Sequence, residues 1–365
     1  MRLKKVLAVV LSTVMVMGLT ACGSTATTEA PAADAAATTE AATEAPAADA
    51  AASGDVIKIQ VGYENATTEP AAMAVEKWAE LVKEKSNGTM ELELFPNSAL
   101  GKKTELIDQM ILGENVITVA DGAFLADYGV NDFGIFYAPF MFDSWDEEWA
   151  VIGSDWYADL CQQLADTASI RVVSSNWIYG VRNIMSVKKV VTPADLAGLK
   201  LRVSSNKLSI TSFEDLGASA VGMDMGDVYQ ALQAKTIDGV ENPITSLANR
   251  SFQEVAKYLV KDEHILATSM WICGESFFSS LTPEQQQILT ETADEAGLYN
   301  NDLQEEKEAE ATQILLDAGV EITELTDEQK AEWVEAGQKF FDEASEALGW
   351  SEGLYDTVKA AGKAQ

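Results

Sequence analysis

Histidine and cysteine, the residues that most often build metal sites and nucleophilic centres, are nearly absent from this sequence. The 365 residues include one histidine and three cysteines. His264 has no second histidine or cysteine at a ligand spacing, and no Ser–His or Cys–His arrangement for nucleophilic catalysis can be identified. We therefore expect a structural histidine, no metal and no cofactor.

The cysteines also exclude a disulfide framework. Cys22 lies near the N-terminus, which leaves only Cys161 and Cys273, in the apolar stretches "DLCQQL" and "WICGE". Two buried free thiols are favoured over a single disulfide between them.

Positively charged residues are fewer than half as numerous as acidic ones. Lys and Arg number 25 against 58 Asp and Glu, which gives a net charge of −33, and only five of the cations are arginines. Residues 1–21 contain three cations and no acid, so their removal changes −33 to −36. This balance argues against nucleic acid or anionic lipid as a partner of a basic face. An anionic ligand would need a local exception to the negative field.

The only long apolar run lies at the N-terminus. Three cations in the first five residues precede an apolar stretch over 6–19, which ends in "LTAC" at Cys22. This pattern resembles the bacterial lipobox, whose cysteine is lipidated and becomes the mature N-terminus. An ordinary secretory signal or a membrane anchor are the alternatives, although the run is short for a spanning helix. We predict a lipoprotein signal peptide at 1–21 and an extracytoplasmic protein, lipid-anchored to the cell membrane at the cell surface or in the periplasm.

Low complexity marks the segment 22–54, which begins with the lipidated Cys22. The string "TEAPAADAAA" occurs twice, at 28–37 and 43–52, and no aromatic residue is present. Such a composition cannot bury enough apolar surface to offset its ordering entropy. We predict a disordered acidic tether.

The remaining 311 residues, from Asp55, are enough for two lobes with cores of their own. Predicted strands such as "VIKIQVGYE" (56–64), "TMELELFP" (89–96) and "NVITVAD" (115–121) alternate with helices, which indicates an α/β fold with a largely parallel sheet. Thr282 and Gln285 form a capping box that begins a long helix, or a kinked pair, reaching Leu316. A second capping box at Thr326 begins the last helical region.

Four blocks of the sequence resemble one family in order: "LGKKTELIDQMILGENVITVADGAFLADYG", "YAPFMF", "VRNIMSVKKVVTPADLAGLKLRVSSN" and "DVYQALQAKTIDGVENP". The chain resembles the solute-binding proteins of TRAP (tripartite ATP-independent periplasmic) transporters, the DctP-like family. The resemblance implies a two-lobe, periplasmic-binding-protein-like α/β fold with a cleft between the lobes and a long helix spanning both. It places one lobe at 55–179 plus 268–307 and the other at 180–267 plus 308–365.

The resemblance also implies an acid-binding site. In the family, an arginine of the "GLKLRV" strand makes a two-pronged salt bridge to the ligand carboxylate, and the matching residue is Arg202. A planar guanidinium suits that role; a structural carboxylate partner is the alternative. Arg182 in "GVRN" matches a second arginine, with a lobe-internal salt bridge as the alternative. Asn242 in "GVENP" matches an asparagine that contacts the acid group, with an Asx-turn before Pro243 as the alternative.

The far wall of the cleft is suggested by further matches. Glu64 and Asp121 match cleft-facing positions, and two acids would repel a second ligand carboxylate but accept hydrogen bonds from hydroxyl groups. We therefore favour a sugar acid over a C4-dicarboxylate. Lys103 argues the other way, because it could balance one acid or bind a second acid group. Four apolar residues are candidate walls, although each is more typical of a core: Trp177, Phe124, Met225 and Trp271.

Three functions are consistent with these features. The first is an extracytoplasmic binding protein that delivers a small organic acid to the membrane subunits of a TRAP permease driven by an ion gradient. The second is an ABC-type or sensor-linked binding lipoprotein for a similar acid. The third, an anchored enzyme, needs a general acid/base pair in the cleft, and we favour a protein without catalytic residues.

Overall fold

The computed structural model describes residues 56–363, apart from the side chain of Asp342. The predicted signal peptide, the predicted lipidation site at Cys22 and the predicted tether lie outside the described residues. None of the helices within 56–363 is long and apolar enough to cross a membrane.

Residues 56–363 form nine strands and twelve α-helices, joined by short 3-10 turns. The strands are β1 (Ile57–Gly62), β2 (Met90–Phe95), β3 (Val116–Ala120), β4 (Ile170–Ser186), β5 (Lys200–Val203), β6 (Ser219–Gly222), β7 (Gly239–Pro243), β8 (Tyr258–Gly274) and β9 (Glu321–Glu324). The helices are α1 (Pro70–Lys85), α2 (Lys103–Ile111), α3 (Gly122–Asp127), α4 (Trp145–Ile152), α5 (Asp155–Ala168), α6 (Lys207–Asp215), α7 (Val228–Gln233), α8 (Ile244–Asn249), α9 (Glu275–Ser280), α10 (Pro283–Asp317), α11 (Asp327–Leu348) and α12 (Leu354–Ala361).

The strands form one sheet in the order β2-β1-β3-β8-β4-β7-β5-β6, with β9 paired to β8. The β1–β3 end and the β5–β7 end are parallel, as the sequence pattern predicts. The centre is antiparallel, which the prediction of a largely parallel sheet missed. Strands β4 and β8, of 17 residues each, run through the centre in opposite directions and connect the two parallel ends.

The long helix predicted from its capping box is one continuous helix, α10, of 35 residues. Thr282 Oγ1 accepts the Gln285 N–H at 3.3 Å, and Gln285 Oε1 accepts the Thr282 N–H at 2.9 Å. Gly297, the glycine within it, is required by close approach, because a Cβ there would lie 2.2 Å from Asn176 Oδ1 on β4. At 1.5 Å per residue the helix spans about 50 Å.

Two of the hydrophobic clusters contain opposite ends of α10. The first, which we call the tryptophan core, surrounds Trp78, Trp177 and Trp271 and includes residues of β1, α1 and the N-terminal half of α10. The second, which we call the α8 core, contains Leu247 with residues of β7, α7 and the C-terminal half of α10. One helix therefore stabilises both parts of the fold, in agreement with its predicted role.

The C-terminal helices also contact both parts. Trp333 of α11 packs against Leu201 and Phe213, whereas Phe340 and Val358 belong to the cluster that surrounds Phe133. The segment 308–365, predicted to belong to the second lobe, thus contacts residues from both sides of the predicted boundary.

The structure confirms that Cys161 and Cys273 are free and that Cys273 is buried. The prediction that both thiols are buried is wrong for Cys161, which is partly exposed. Burial raises the pKa of the Cys161 thiol to about 11, so it carries little thiolate character at neutral pH.

Glu148 of α4 is a buried acid with an incomplete set of partners. Its Oε1 accepts the Thr268 hydroxyl at 2.6 Å, and Oε2 has no partner within the described range. Burial raises the pKa of Glu148 to about 8, with the Thr268 hydrogen bond opposing the shift. The folded protein therefore binds a proton that the unfolded chain loses near its ordinary pKa, and stability falls as pH rises from about 4.5 through about 8.

We expect Glu148→Gln to remove this loss. At pH 8 the variant should exceed the wild type in free energy of unfolding by about 1–3 kcal/mol, and the two should converge below the ordinary carboxyl pKa. Urea denaturation at pH 4.5 and pH 8 measures both values, with Asp146→Asn on the same helix as the control for charge removal. A variant less stable than the wild type at pH 8 would contradict the prediction.

Candidate ligand-binding cleft

A cavity with about 650 Å³ of space not filled by atoms, part of it open to solvent, lies where the carboxyl ends of several strands meet. Loops after parallel strands converge at one edge of a sheet, which is where α/β proteins place ligands. Seven of the eight predicted ligand-binding residues line this cavity: Glu64, Lys103, Asp121, Arg182, Arg202, Met225 and Asn242.

Arg202 lies in β5 between Leu201 and Val203, both fully buried in the apolar core. The Arg202 residue is only 3% exposed. Its Nε and Nη2 donate to the Met223 carbonyl at 2.8 and 2.6 Å, while Nη1 is buried without a hydrogen-bond partner among the described residues. Burial lowers the pKa of Arg202, and the negative charges of Glu241 and Glu64 partly oppose this shift. No structural carboxylate pairs with it within the described chain, so a buried cation with an open donor faces the cavity.

Arg182 has a different environment. Its Nε and Nη2 donate to the two carboxylate oxygens of Glu241 at 2.6 and 2.8 Å, which is the internal salt bridge that was the alternative for this residue. Nη1 remains on the cavity side, 3.2 Å from the Tyr137 hydroxyl and 3.4 Å from Asn242 Oδ1. Arg182 lines the cavity, but its charge is already compensated.

A buried polar chain continues behind Arg182. His264 Nε2 lies 3.4 Å from Glu241 Oε2, and His264 Nδ1 lies 2.7 Å from Asp262 Oδ2. Burial alone would lower the pKa of His264, but Asp262 and Glu241 raise it to about 9. For the acid Glu241 burial has the opposite effect and would raise the pKa, but Arg182 and His264 lower it to about 2. His264 is therefore a protonated structural residue, as expected, and it supports the carboxylate that holds Arg182.

The opposite wall contains two acids and a lysine. Lys103 Nζ lies 3.2 Å from Glu64 Oε1 and 4.4 Å from the centre of the Phe124 ring. Burial would raise the pKa of Glu64, but Lys103, then Arg250 and Arg202, lower it below its ordinary value. Asp121 caps α3 by accepting the Phe124 N–H at 3.1 Å, and burial raises its pKa despite Lys103. Lys103 thus balances Glu64, one of the two roles suggested by the sequence.

Asn242 follows Glu241 in β7 and points to the cavity side. Its Oδ1 accepts from Arg182, and its Nδ2 lies 4.0 Å from Met225 Sδ. The sulfur is a weak acceptor, so the amide remains able to donate to a ligand oxygen.

The DctP family, described as bacterial extracellular solute-binding protein, family 7, matches residues 61–347. The chain belongs to this family.

Solved structures and curated relatives agree with this assignment. A TRAP periplasmic solute-binding protein from Ochrobacterium anthropi with bound L-fuconate superposes with a TM-score of 0.80 at 37% identity, covering 84% of this chain and 100% of that chain. One from Actinobacillus succinogenes with bound L-galactonate has a TM-score of 0.77 at 34% identity, covering 84% and 99%. The C4-dicarboxylate-binding periplasmic protein DctP of Rhodobacter capsulatus is 29% identical over 80% of this chain and 88% of that protein.

As a member of the DctP family, the protein is an extracytoplasmic solute-binding protein of a transport system, not an enzyme. Its fold is the two-lobe α/β fold of the TRAP solute-binding structures, with a cleft between the lobes.

The prediction that Trp177 lines the ligand-binding cleft of this DctP-family protein is wrong. Trp177 does not line the cavity but is fully buried in the tryptophan core, 5.3 Å in ring-centre distance from Trp271. Its Nε1 donates to the Ala293 carbonyl of α10 at 3.1 Å. The indole is committed to the contact between β4 and α10, and Trp271, another suggested wall, is buried in the same core.

Sequence reasoning also missed several polar residues that line the cleft: Ser98, Tyr137, Tyr179, Ser204, Ser205 and Ser269. Ser204 and Ser205 directly follow the strand of Arg202, and small hydroxyl residues at the carboxyl end of a strand are a signal that could have found them. Tyr137 has no such signal, because only a tertiary contact brings it to Arg182. Tyr179 lies three residues before Arg182 in β4, and its ring is also close to the guanidinium.

The charges of the cleft nearly cancel in pairs. Glu241 compensates Arg182, Glu64 compensates Lys103, and Asp224 contacts Lys102. Among the cations lining the described cavity, Arg202 alone lacks a carboxylate within salt-bridge distance. Arg202 and Asp121 are therefore the two charged residues of the described cavity lining without an opposite charge within salt-bridge distance.

Proposed function

We propose that this solute-binding protein captures one small organic acid by a salt bridge between the ligand carboxylate and Arg202. The observation that carries the proposal is the buried, unpartnered Nη1 of Arg202 in a cleft whose other cations are paired. A desolvated guanidinium needs an anionic partner, and a carboxylate offers two oxygens in matching geometry. Asn242 and the Nη1 of Arg182 can add donors without requiring a second negative charge.

The far wall favours a hydroxylated monocarboxylate, a sugar acid, over a C4-dicarboxylate. Lys103 is balanced by Glu64, so a second ligand carboxylate would meet Asp121 without a free cation to offset it. Hydroxyl groups would instead donate to the Glu64 and Asp121 oxygens. The similar structures with bound L-fuconate and L-galactonate support this preference. The dicarboxylate alternative is supported by the relative from Rhodobacter capsulatus.

The same family membership suggests a membrane partner. We infer delivery of the acid to the membrane subunits of a TRAP permease driven by an ion gradient, with the protein held at the membrane by a lipid on Cys22 and a tether over 22–54. The lobes would be 55–179 plus 268–307 and 180–267 plus 308–365. An ABC-type or sensor-linked binding lipoprotein is the alternative, and neighbouring genes for a permease pair or for an ATPase distinguish the two.

A thermal-shift screen of purified residues 55–365 tests the ligand class. Sugar acids such as L-galactonate and L-fuconate are expected to raise the melting temperature, because a ligand that binds only the folded state at a hundredfold excess over its Kd adds about 2.7 kcal/mol of stability. The corresponding neutral sugars serve as controls and should have no effect. A response to succinate and malate without a response to any sugar acid would replace the sugar acid by a dicarboxylate, and no response to any acid would contradict the proposal.

A further inference from the structure

A second polar interface lies beside the cleft, between the loop 64–69 after β1 and one face of α8. Its centre is Glu69, which is only 2% exposed. The Glu69 carboxylate accepts the Asn65 side-chain amide at 2.9 Å and the Ala66 N–H at 2.8 Å, both from its own loop. It also accepts the Ser246 hydroxyl at 2.7 Å and lies 3.5 Å from Arg250 Nη2, both from the α8 side.

Two further contacts join the same elements. Arg250 Nη2 also donates to the backbone carbonyl of Glu64, and the Thr68 hydroxyl donates to Asn249 Oδ1 at 2.6 Å. Ser246, Asn249 and Arg250 are spaced i, i+3 and i+4, so they lie on one face of α8 and its C-terminal end. This face therefore contacts the loop as a unit.

The two sides of this interface belong to different hydrophobic cores. Helix α1, which follows the loop, contributes Ala72, Ala74 and Val75 to the tryptophan core. Helix α8 contributes Ile244, Leu247 and Ala248 to the α8 core. The contacts between them around Glu69 are polar, so they can exchange with water without exposing either core. Such an interface can open and close at low cost, unlike an apolar one.

The interface is also continuous with the cleft on both sides. The loop begins with Glu64, which lines the cavity, and α8 directly follows the strand that contains Asn242. Arg250 contributes, after Lys103, to lowering the pKa of Glu64 against the effect of burial. A change in the distance between loop and helix must therefore change the separation of the two cavity walls and the environment of Glu64.

We propose that Glu69 and Arg250 form a closure contact that assembles when the cleft closes on its acid. Arg250 is then a positioning residue that holds Glu64 against the ligand. This inference extends the function proposed above, on which it rests. The contact sets how long the ligand stays bound, although Glu69 and Arg250 lie outside the cavity lining. If it forms only in the closed state, its loss must affect closing and release while leaving the stability of the open protein unchanged.

Arg250→Ala tests the proposal by interlobe distance and release rate. Fluorophores at the exposed positions Glu84 and Thr236 report the closed population, with and without L-galactonate. We expect a smaller closed population than in the wild type in both conditions and release of L-galactonate about tenfold faster, the loss expected for a hydrogen bond to a charged group. The melting temperature of the protein without acid should stay unchanged, and Arg250→Lys should restore part of the closed population.

Arg171→Ala is the matched control. It removes an arginine–carboxylate pair, with Glu275 at 2.6 Å, within one predicted lobe, and it should leave the closed population and the release rate unchanged. Equal closed populations and release rates in Arg250→Ala and the wild type would overturn the inference. A melting temperature of Arg250→Ala that is lowered equally with and without acid would also overturn it. A wild type that binds no acid would instead refute the proposed function, while the closed population without acid would still decide the role of Arg250.

Discussion

Replacing Arg202 by alanine is expected to weaken acid binding about a thousandfold, because truncating one partner of a desolvated charge pair costs roughly 2–5 kcal/mol or more. The stability of the protein without acid should change little. The lost side chain is a buried cation with one unpartnered nitrogen, so removing it relieves a desolvation cost while leaving the Met223 carbonyl with fewer donors. Calorimetric titration with L-galactonate and denaturant unfolding measure the two quantities.

Arg202→Lys is the discriminating companion variant. It keeps the charge but loses the fork that can bind Met223 and a carboxylate at once, so affinity should lie between those of the wild type and the alanine variant. Arg171→Ala, which removes an arginine outside the cavity, should bind as the wild type does. Undiminished affinity in Arg202→Ala would remove Arg202 from the site. An affinity of Arg202→Lys equal to that of the wild type would show that charge alone suffices.

Glu241→Gln is expected to lower the free energy of unfolding by about 3–5 kcal/mol, the usual loss when one partner of a buried ion pair is removed. Arg182 donates to both carboxylate oxygens of Glu241, and His264 lies against one of them. A glutamine keeps one acceptor and turns an amide N–H₂ toward the guanidinium, so two buried cations lose their shared anion. Urea denaturation near pH 6 measures the effect.

The pH dependence distinguishes this electrostatic cause from simple misfit. Arg182 and His264 lower the pKa of Glu241 to about 2, so its contribution is present above the ordinary carboxyl pKa and is lost as pH falls toward 2. Asp262 and Glu241 raise the pKa of His264 to about 9, so its contribution is complete below the ordinary histidine pKa and is lost as pH rises through 9. The difference between wild type and variant should therefore be largest near pH 5–6.5 and should shrink below pH 4.5.

A surface carboxylate provides the control for Glu241→Gln. Glu295 forms an exposed ion pair with Lys85 at 2.8 Å, and such pairs contribute little because solvent screens them. Glu295→Gln should unfold as the wild type does. If Glu241→Gln lowers the free energy of unfolding equally at pH 3.5 and pH 6, the cause is packing and not charge.

The features predicted well from the sequence are those encoded over a few neighbouring residues. The capping boxes at Thr282 and Thr326 locate the starts of α10 and α11, because both partners of each box lie within three residues. The alternation in "GLKLRV" predicts the strand of Arg202. The ordered motifs predict the family, which the match over 61–347 confirms.

The features that were missed depend on residues far apart in the chain. The sequence did not reveal Glu241 as the carboxylate partner of Arg182, because the two residues are 59 positions apart. Only the antiparallel register of β4 and β7 brings them together. Trp177 was suggested as one of four apolar cleft walls, although such a residue is more typical of a core. Its contact with Ala293 depends on where α10 crosses β4.

By itself, then, the sequence determined the family, the α/β class, the long helix and the arginine on the apolar strand, since local periodicity, caps and ordered motifs carry that information. The tertiary structure alone decided which arginine keeps an open donor. Both arginines are buried and both line the cleft, but Glu241 compensates Arg182 while Arg202 meets only a backbone carbonyl. The physical reason is that the availability of a charge depends on its neighbours in space, which strand register and helix crossing determine.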